Sequence, residues 1–408
     1  MRRCVILFII SLVGQVQAKV FAQSSVAPSA EDSSDYKHQR DLIDLFMVIL
    51  KKDPAKRLDT TGKRPRTIYF SGAPSIAISE VTGFGVILAG EAAFYTSEKN
   101  GTNISSLQTS VTGTANKQLI LPLQSSVWTK GNKYNFVGDW RFLLFPEDTY
   151  GLGGYTTLAD GYKLNYNYVR FYQYLLRQWT KDFFAGLGYQ LDYHYNIEQL
   201  GVSGVVTDYD KYGFSPQSVS SGIALDILYD TRKNSINPEG GSTYANLILR
   251  QNVTWLGSNQ NWSSLLLDTR KYFNLSGHSQ NILALWSYDW FTLKGTPPYL
   301  DLPSTGWDTY DNTGRGYIQS RFRSRNMLDL EAEYRFAVSN NGLVGGVVFA
   351  NAESFSEMNN NQFEKIWPAV GAGVRVKFNK FSKTNVAFDY AFGLNGNSGI
   401  FVNLGEVF

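Results

Sequence analysis

Histidines and paired carboxylates are the residues of this sequence that could perform catalysis or bind a metal. The sequence contains three histidines, His38, His194 and His278. They lie in unrelated segments, and none has a second ligand at the spacing of a metal site. Glu331 and Glu333 share one face of a predicted strand, but the adjacent Arg335 indicates an ion pair rather than general acid–base catalysis. These patterns predict no catalytic residue, no metal and no cofactor.

The N-terminus has the layout of a secretory signal peptide. Two arginines precede an apolar stretch over residues 5–13, and small residues at Ala18 and Ala22 offer two alternative cleavage sites. The stretch is too short for a membrane-spanning helix, which needs about 20 apolar residues. We therefore expect residues 1–22 to be a signal peptide. Because Cys4 is the only cysteine, the exported chain is expected to have no thiol and no disulfide.

Most of the remaining chain alternates between apolar and polar residues, which is the period of a β-strand with two unlike faces. The alternation is clearest in four segments, 185–195, 328–336, 370–378 and 386–392. A soluble β-sandwich alternates in the same way, so the pattern alone does not decide the class of protein.

Three further features favour a transmembrane barrel: the export signal, the terminal Phe408, and aromatic residues that read as girdles at strand ends. The girdle residues are Tyr193, Tyr195, Trp286, Tyr288, Trp290 and Phe291. In lipid the backbone groups of a sheet must close on themselves, which requires a barrel. Residues 67–408 divided into strands of about 10 residues favour 16 antiparallel strands. Longer extracellular connections are expected at 97–117, 196–218 and 294–320.

The polar faces of such strands would line the lumen. The residues expected there are Asp192, Asp226, Asp268, Arg270, Asp289, Glu331, Glu333, Arg335, Arg375 and Lys377. The net charge of +3 on 408 residues is small and mixed in sign along the chain. A nucleic-acid partner is therefore not predicted.

Residues 23–66 differ from the barrel region and form a predicted periplasmic extension. Acidic residues Asp41 and Asp44 lie at the start of an apolar stretch over 42–50, and Pro54 follows it, which predicts a short amphipathic helix. Two alternatives stay open for this helix. It is either a tether packed on the periplasmic rim, or a plug or docking helix that enters the lumen or meets a partner.

Residues 67–408 resemble the barrel of the BamA/TamA outer-membrane assembly factors, the bacterial surface antigen family. The strand-turn motif of that family matches Asp230, Arg232, Pro238 and Gly241. The tip of its long sixth extracellular loop matches Arg315, Gly316 and Tyr317, and its glutamate strand motif matches Glu333. Each motif alone is weak, but their combination in this order is more specific.

The resemblance implies that the loop folds into the lumen and that Arg315 meets Glu333 or Glu331. Two departures accompany it. Asn351 stands where the family usually has an aspartate, so it can accept a hydrogen bond but supplies no charge. The POTRA repeats of the family, modules of some 75 residues, do not fit before residue 67. The closest resemblance is therefore to short-form members without these repeats.

The end of the chain fits the last-strand signal read by the outer-membrane assembly machinery. The residues of that pattern are Asn397, Gly399, Val402, Leu404 and Phe408. The protein is thus expected to be a client of that machinery. Outer-membrane lipid and a separate periplasmic protein or lipoprotein are further expected partners.

Three functions remain from these observations. The first is a non-enzymatic barrel in the outer membrane of a Gram-negative bacterium that assembles or translocates proteins or lipids. The loop that carries Arg315 would act as an internal latch. Clients would be handled at a weak seam between the first and last strands, near Phe84–Phe94 and Ile400–Phe408. The second is a passive or gated pore whose lumenal charges set selectivity. The third, a hydrolase built around His194, is the least favoured.

Overall fold

The computed structural model describes residues 38–57, 68–79, 83–97, 101–202, 204–275 and 281–408. The predicted signal peptide and most of the predicted extension lie outside these ranges. Two α-helices are described, α1 (Leu42–Ile49) and α2 (Asp208–Gly213). Short 3-10 helices lie at Pro54–Arg57, Lys130–Asn132, Leu158–Asp160, Thr254–Leu256 and Tyr299–Asp301.

The strands make up most of the described chain. In the first half they are β1 (Tyr69–Ser79), β2 (Gly83–Phe94), β3 (Ser105–Thr114), β4 (Leu119–Trp128), β5 (Tyr134–Leu144), β6 (Glu147–Thr149), β7 (Tyr162–Thr180) and β8 (Phe183–Leu200). In the second half they are β9 (Gln217–Asp230), β10 (Thr243–Asn252), β11 (Trp262–Asn274), β12 (Ile282–Lys294), β13 (Asn326–Ala337), β14 (Val344–Phe355), β15 (Trp367–Asn379), β16 (Thr384–Gly393) and β17 (Ser398–Leu404).

Consecutive strands pair antiparallel around a nearly closed barrel. β5 pairs directly with β7, and the three-residue β6 adds only to the first residues of β7, so sixteen strands form the wall. The prediction of an all-β barrel with 16 strands and a short N-terminal helix is confirmed. Antiparallel neighbours joined by short connections are what a continuous up-and-down wall requires.

The wall has an apolar outer face and a polar inner face. On β12, Ala284, Trp286 and Tyr288 are buried inside, whereas Leu285 and Leu293 are exposed outside. Inside, aromatic residues pack with charged residues that pair with one another. An apolar exterior around a polar interior is typical of transmembrane barrels.

The connections differ in length at the two ends. We call the end of the barrel with short connections, such as 181–182 and 380–383, the turn end. The opposite end, which carries the long segment 295–325, is the loop end. The expectation of a loop over 97–117 is wrong. Residues Ser105–Thr114 form β3, because their small polar side chains still alternate in register with β2. The connection before β3 lies at the turn end, where the amide of Ile104 donates to the carbonyl of Lys233.

The expected aromatic girdle is wrong for part of its set. Trp286 and Tyr288 lie on the inward positions of β12, where they pack in the lumen with Phe408. Trp290 is also inward, whereas Phe291 is outward. Residues at alternate positions of a strand share one face and adjacent residues face opposite sides, so Trp290 and Phe291 cannot both face lipid.

One residue expected in the lumen, Asp289, lies on the outer face instead. It shares the outward face of β12 with Leu285 and Leu293, while the other members of the set occupy inward positions. The expectation placed Asp289 inside because it is charged. The strand period places Trp286 and Tyr288 inside instead.

Helix α1 is fixed at the turn end by charged groups at its start. The side chain of Asp41 caps the helix by accepting from the amide of Asp44. Asp41 also accepts from the backbone amide of Lys380 at 2.9 Å, and Asp44 pairs with its ammonium at 2.8 Å. Because these contacts hold the helix on the connection between β15 and β16, they favour a tether on the rim over a plug.

Within the described chain, no helix has the length and the apolar character needed to cross a membrane.

Candidate functional site

The segment 295–325 between β12 and β13 folds back into the barrel and presents Arg315 at its tip. Arg315 is fully buried. Gly316 has a φ of 111°, and a Cβ there would approach the Cβ of Ala369 on β15 to 2.7 Å. Glycine is required here both for the positive φ and for this close approach.

Arg315 bridges carboxylates from two different parts of the wall. Its guanidinium donates to Glu331 and, at 2.6 Å, to Glu333 on β13, and at 2.5 Å to Asp389 on β16. The ring of Phe349 lies 3.6 Å from its central carbon. The edges of the cation are thus paired while its face is stacked, an arrangement suited to a planar guanidinium.

A wider ion-pair network surrounds this contact. Arg335 donates to Glu333 at 2.6 Å, and Arg375 donates to Asp389 at 2.5 Å and to Glu406 at 2.7 Å. All of these side chains are buried. With Arg315 and Glu331, three guanidiniums face four carboxylates, so no cation of the cluster lacks an anionic partner.

The remaining predicted latch residues hold the backbone of the loop tip. The side-chain amide of Asn351 donates to the carbonyl of Arg315 at 2.7 Å, so it does not contact the guanidinium. Tyr317 donates to the carbonyl of Pro368 at 2.6 Å and accepts from the amide of Leu394 at 3.1 Å. These bonds fix the tip against β14, β15 and the end of β16.

Sequence reasoning missed two residues that contact the guanidinium of Arg315. Asp389 belongs to the alternating segment 386–392, whose polar side it occupies, and that signal could have included it. Phe349 stands two residues before Asn351 in the motif where the family usually has an aspartate, but neither that motif nor the alternation indicates that its ring stacks on the guanidinium.

The same loop covers the loop end of the barrel. Glu147 accepts from Ser320 at 2.7 Å and from Tyr166 at 2.9 Å, and pairs with Arg323 at 3.3 Å. Trp307 packs in the adjacent aromatic cluster. This end of the lumen is therefore filled by ordered side chains.

The predicted strand-turn motif lies at the turn end, away from Arg315. Asp230 ends β9 and pairs with Arg232 through two bonds of 2.9 Å. The guanidinium of Arg232 lies 4.0 Å from the ring of Tyr244. Pro238 and Gly241 follow in the turn before β10, and Gly241 has a φ of 91°. The motif shapes the connection and does not join the latch.

The C-terminus turns into the lumen. β17 ends at Leu404, and Phe408 is buried, stacked on Trp286 with ring centroids 5.0 Å apart. Arg335 donates to the carbonyl oxygen of Phe408 at 2.9 Å. The terminal aromatic residue is thus not part of the strand.

The other residues of the predicted assembly signal lie on or beside β17. Gly399, Val402 and Leu404 belong to the strand, and Asn397 lies in the turn before it, where its side chain donates to the carbonyl of Leu394 at 2.7 Å. The role of these residues as an assembly signal stays a prediction.

The first and last strands meet without a ladder of paired residues. β1 pairs with β2 along its length and β17 pairs with β16, but among the described residues no register joins β1 to β17 although they are adjacent. The expected seam at Phe84–Phe94 is wrong, because those residues belong to β2, which is paired on both sides. The seam is formed by β1 instead, because β1 precedes Phe84–Phe94 in the wall.

His194 lies in a packed polar cluster. It stacks on Tyr168 with ring centroids 4.2 Å apart, and its Nδ1 lies 3.5 Å from Asp301. Ser220 donates its hydroxyl to Asp301 at 2.5 Å. Within the described ranges, no three His, Cys, Asp or Glu side chains are arranged to hold a metal ion.

Comparison with solved structures shows that the barrel fold of the chain is similar to that of CdiB. CdiB from Acinetobacter baumannii aligns over 84% of this chain and 60% of its own, with 11% identity and a TM-score of 0.53. CdiB from Escherichia coli aligns over 85% and 67%, with 10% identity and a TM-score of 0.53. BamA from Haemophilus ducreyi lacking POTRA domains 1–3 aligns over 91% and 80%, with 14% identity and a TM-score of 0.49.

No family model and no curated protein sequence matches the chain. The chain spans 60% of the length of one CdiB and 67% of the other. At these identities, the likeness to the two CdiB structures is one of barrel fold.

Proposed function

We propose that the protein is a multi-pass barrel in the outer membrane of a Gram-negative bacterium. The exposed apolar exterior of the wall supports this location, because it would be costly in water and is stable in lipid. The turn end then faces the periplasm and the loop end faces outward. Outer-membrane lipid contacts the wall, and the general assembly machinery inserts the chain.

Within that membrane, the protein acts in the assembly or translocation of other outer-membrane proteins or lipids, without enzymatic chemistry. Two features together carry this proposal. The loop 295–325 is fixed inside the barrel, and within the described chain no ladder of paired residues joins β1 to β17 at the seam. Arg315 joins β13 to β16 through buried carboxylates, so the wall beside the seam is held in place from inside. β1 and β17 can separate at a smaller cost than paired neighbours, because no ladder joins them.

A seam of this kind gives a client strand or a lipid a lateral route between lumen and membrane. The inward-turned residues Glu406 and Phe408 lie at the turn end of the same edge, where periplasmic material would arrive. A separate periplasmic protein or lipoprotein is the proposed source of that material.

Depletion of the protein followed by quantitative proteomics and lipid analysis of the outer membrane tests this function. Loss of other barrel proteins, or a change in outer-leaflet lipid, is the expected result. An unchanged outer membrane together with a large steady conductance of the purified protein would favour the pore and reject assembly.

A further inference from the structure

The outward face of β12 carries a carboxylate near its middle. Asp289 lies five residues from the loop end of the strand and seven from its turn end. Its neighbours on the adjacent strands are Leu267 and Leu328, and exposed Leu285 and Leu293 lie on its own strand. The carboxylate is therefore surrounded by the apolar residues of the outer face.

Asp289 is exceptional along the described strands. It is the only charged outward residue there that lies more than four residues from both ends of its strand. The other charged outward residues lie within three residues of a strand end, where they reach the polar boundary: Asp148, Lys163, Arg177, Glu198 and Lys271. Ionisable groups within the apolar band of a membrane protein are costly and mark a site of contact or transport.

No cation of the described chain neutralises this carboxylate. Among the described residues, its one side-chain hydrogen bond comes from Ser287, whose hydroxyl donates to it at 2.9 Å. Directly opposite Ser287 on β11 lies Thr269, which is exposed on the same outer face. The three residues Thr269, Ser287 and Asp289 form one polar island, which holds both acceptors and hydroxyl donors.

We propose that this polar island is the contact through which a second copy of the chain docks within the membrane. This interface rests on the proposed outer-membrane location but not on the proposed assembly role. A twofold axis along the membrane normal keeps each residue at the same depth in both copies. The carboxylate of one copy then meets the hydroxyls of the other, which satisfies the group that apolar lipid cannot solvate.

The surrounding leucines fit the same partner. Leu267, Leu285 and Leu330 flank the island, and Leu330 is 58% exposed. Across a twofold contact they would pack against the same residues of the other copy. A polar centre surrounded by apolar residues is complementary to a second copy of itself. A different partner that supplies a cation at this depth is therefore not needed to satisfy Asp289.

Cysteine crosslinking of the full chain in native outer membranes tests the interface. The background carries Cys4→Ser, which leaves no other cysteine in the sequence. Thr269→Cys reports on the island, and Val111→Cys on the outward face of β3, across the barrel, is the matched control. We expect a short bifunctional maleimide to give several-fold more crosslinked dimer for Thr269→Cys than for Val111→Cys.

Asp289→Leu in the Thr269→Cys background should lower dimer formation to the level of the control. If that variant lacks the heat-induced mobility shift of a folded barrel, Ser287→Val gives the same readout by removing a donor. Equal crosslinking at positions 269 and 111, or crosslinking that does not change in the folded island variants, overturns the proposal. Fractionation of the same membranes tests the proposed location separately, and depletion proteomics tests the assembly role.

Discussion

At the scale of single residues, Arg315 determines whether the loop remains in the lumen. Arg315→Ala leaves Glu331, Glu333 and Asp389 without the cation that joins them, and loss of one partner of a buried ion pair costs about 3–5 kcal/mol. We expect a lower temperature for the heat-induced mobility shift and faster proteolysis of 295–325. Arg325→Ala is the matched control, because that arginine only donates to an exposed backbone carbonyl. Equal behaviour of the two variants would rule out the latch.

The two glutamates of β13 should differ in importance although they share a strand face. Glu333 pairs with Arg315 and Arg335 at 2.6 Å and lies 3.7 Å from Arg375, whereas Glu331 pairs with Arg315 alone. Since carboxylates exceed guanidiniums by one in the cluster, Glu331→Gln removes a surplus negative charge. Glu333→Gln should therefore lower the thermal midpoint of the barrel by more than Glu331→Gln, and the reverse order would contradict this charge balance.

The sequence predicted part of this cluster and could not predict the rest. Alternation placed Glu331, Glu333 and Arg335 on one face, and resemblance supplied Arg315. The convergence of Arg315 on Asp389 depends on how a long loop crosses the lumen to β16, which no local pattern encodes. The predicted lumenal position of Asp289 was wrong for a different reason, because the charge of a side chain alone does not indicate which face of a strand it occupies.

At the scale of the elements, the docked loop should respond to pH. Burial, together with the nearby carboxylate of Asp192, raises the pKa of Asp301 to about 7. An aspartate in a released loop has a pKa of about 3.9, so the docked state binds its proton more tightly. Docking is then fully favoured below pH ~4 and weakens as the pH rises through about 7.

Limited proteolysis of the loop between pH 5 and pH 8 measures this response. We expect cleavage near residues 295–303 to be faster at pH 8, and Asp301→Asn to remove most of the difference. Asp210→Asn is the control, because Asp210 lies in another loop-end connection and does not contact this loop. A pH response that persists in Asp301→Asn would assign it to another group.

The sequence predicted the number of strands, but it predicted the position of individual strands along the chain less well. The strand count followed from length and alternation. The strand Ser105–Thr114 was missed because its serines, threonines and glycine resemble a loop composition, although their spacing still suits a wall whose inner face is polar. The predicted seam was assigned to the second strand of the wall rather than to the first, an error of one strand.

At the scale of the whole molecule, the filled loop end predicts a nearly closed channel. Ser320 and Arg323 of the loop bind Glu147 of β6, so the loop narrows this end of the lumen. Wild-type protein in planar bilayers should give little steady conductance, and replacing residues 306–319 by a short glycine-serine linker should raise it strongly. Shortening 254–260, a loop-end connection outside the lumen, should leave it low. A high wild-type conductance would instead favour the pore.

The central claim is that clients are handled where β1 meets β17, and a disulfide across that seam tests it most directly. One cysteine in Tyr69–Ser79 and one facing it in Ser398–Leu404 would be introduced into a Cys4→Ser chain and used to rescue depleted cells. The account predicts that the oxidised seam fails to restore outer-membrane protein and lipid composition, and that reduction restores it. Full rescue by the locked barrel would contradict the account.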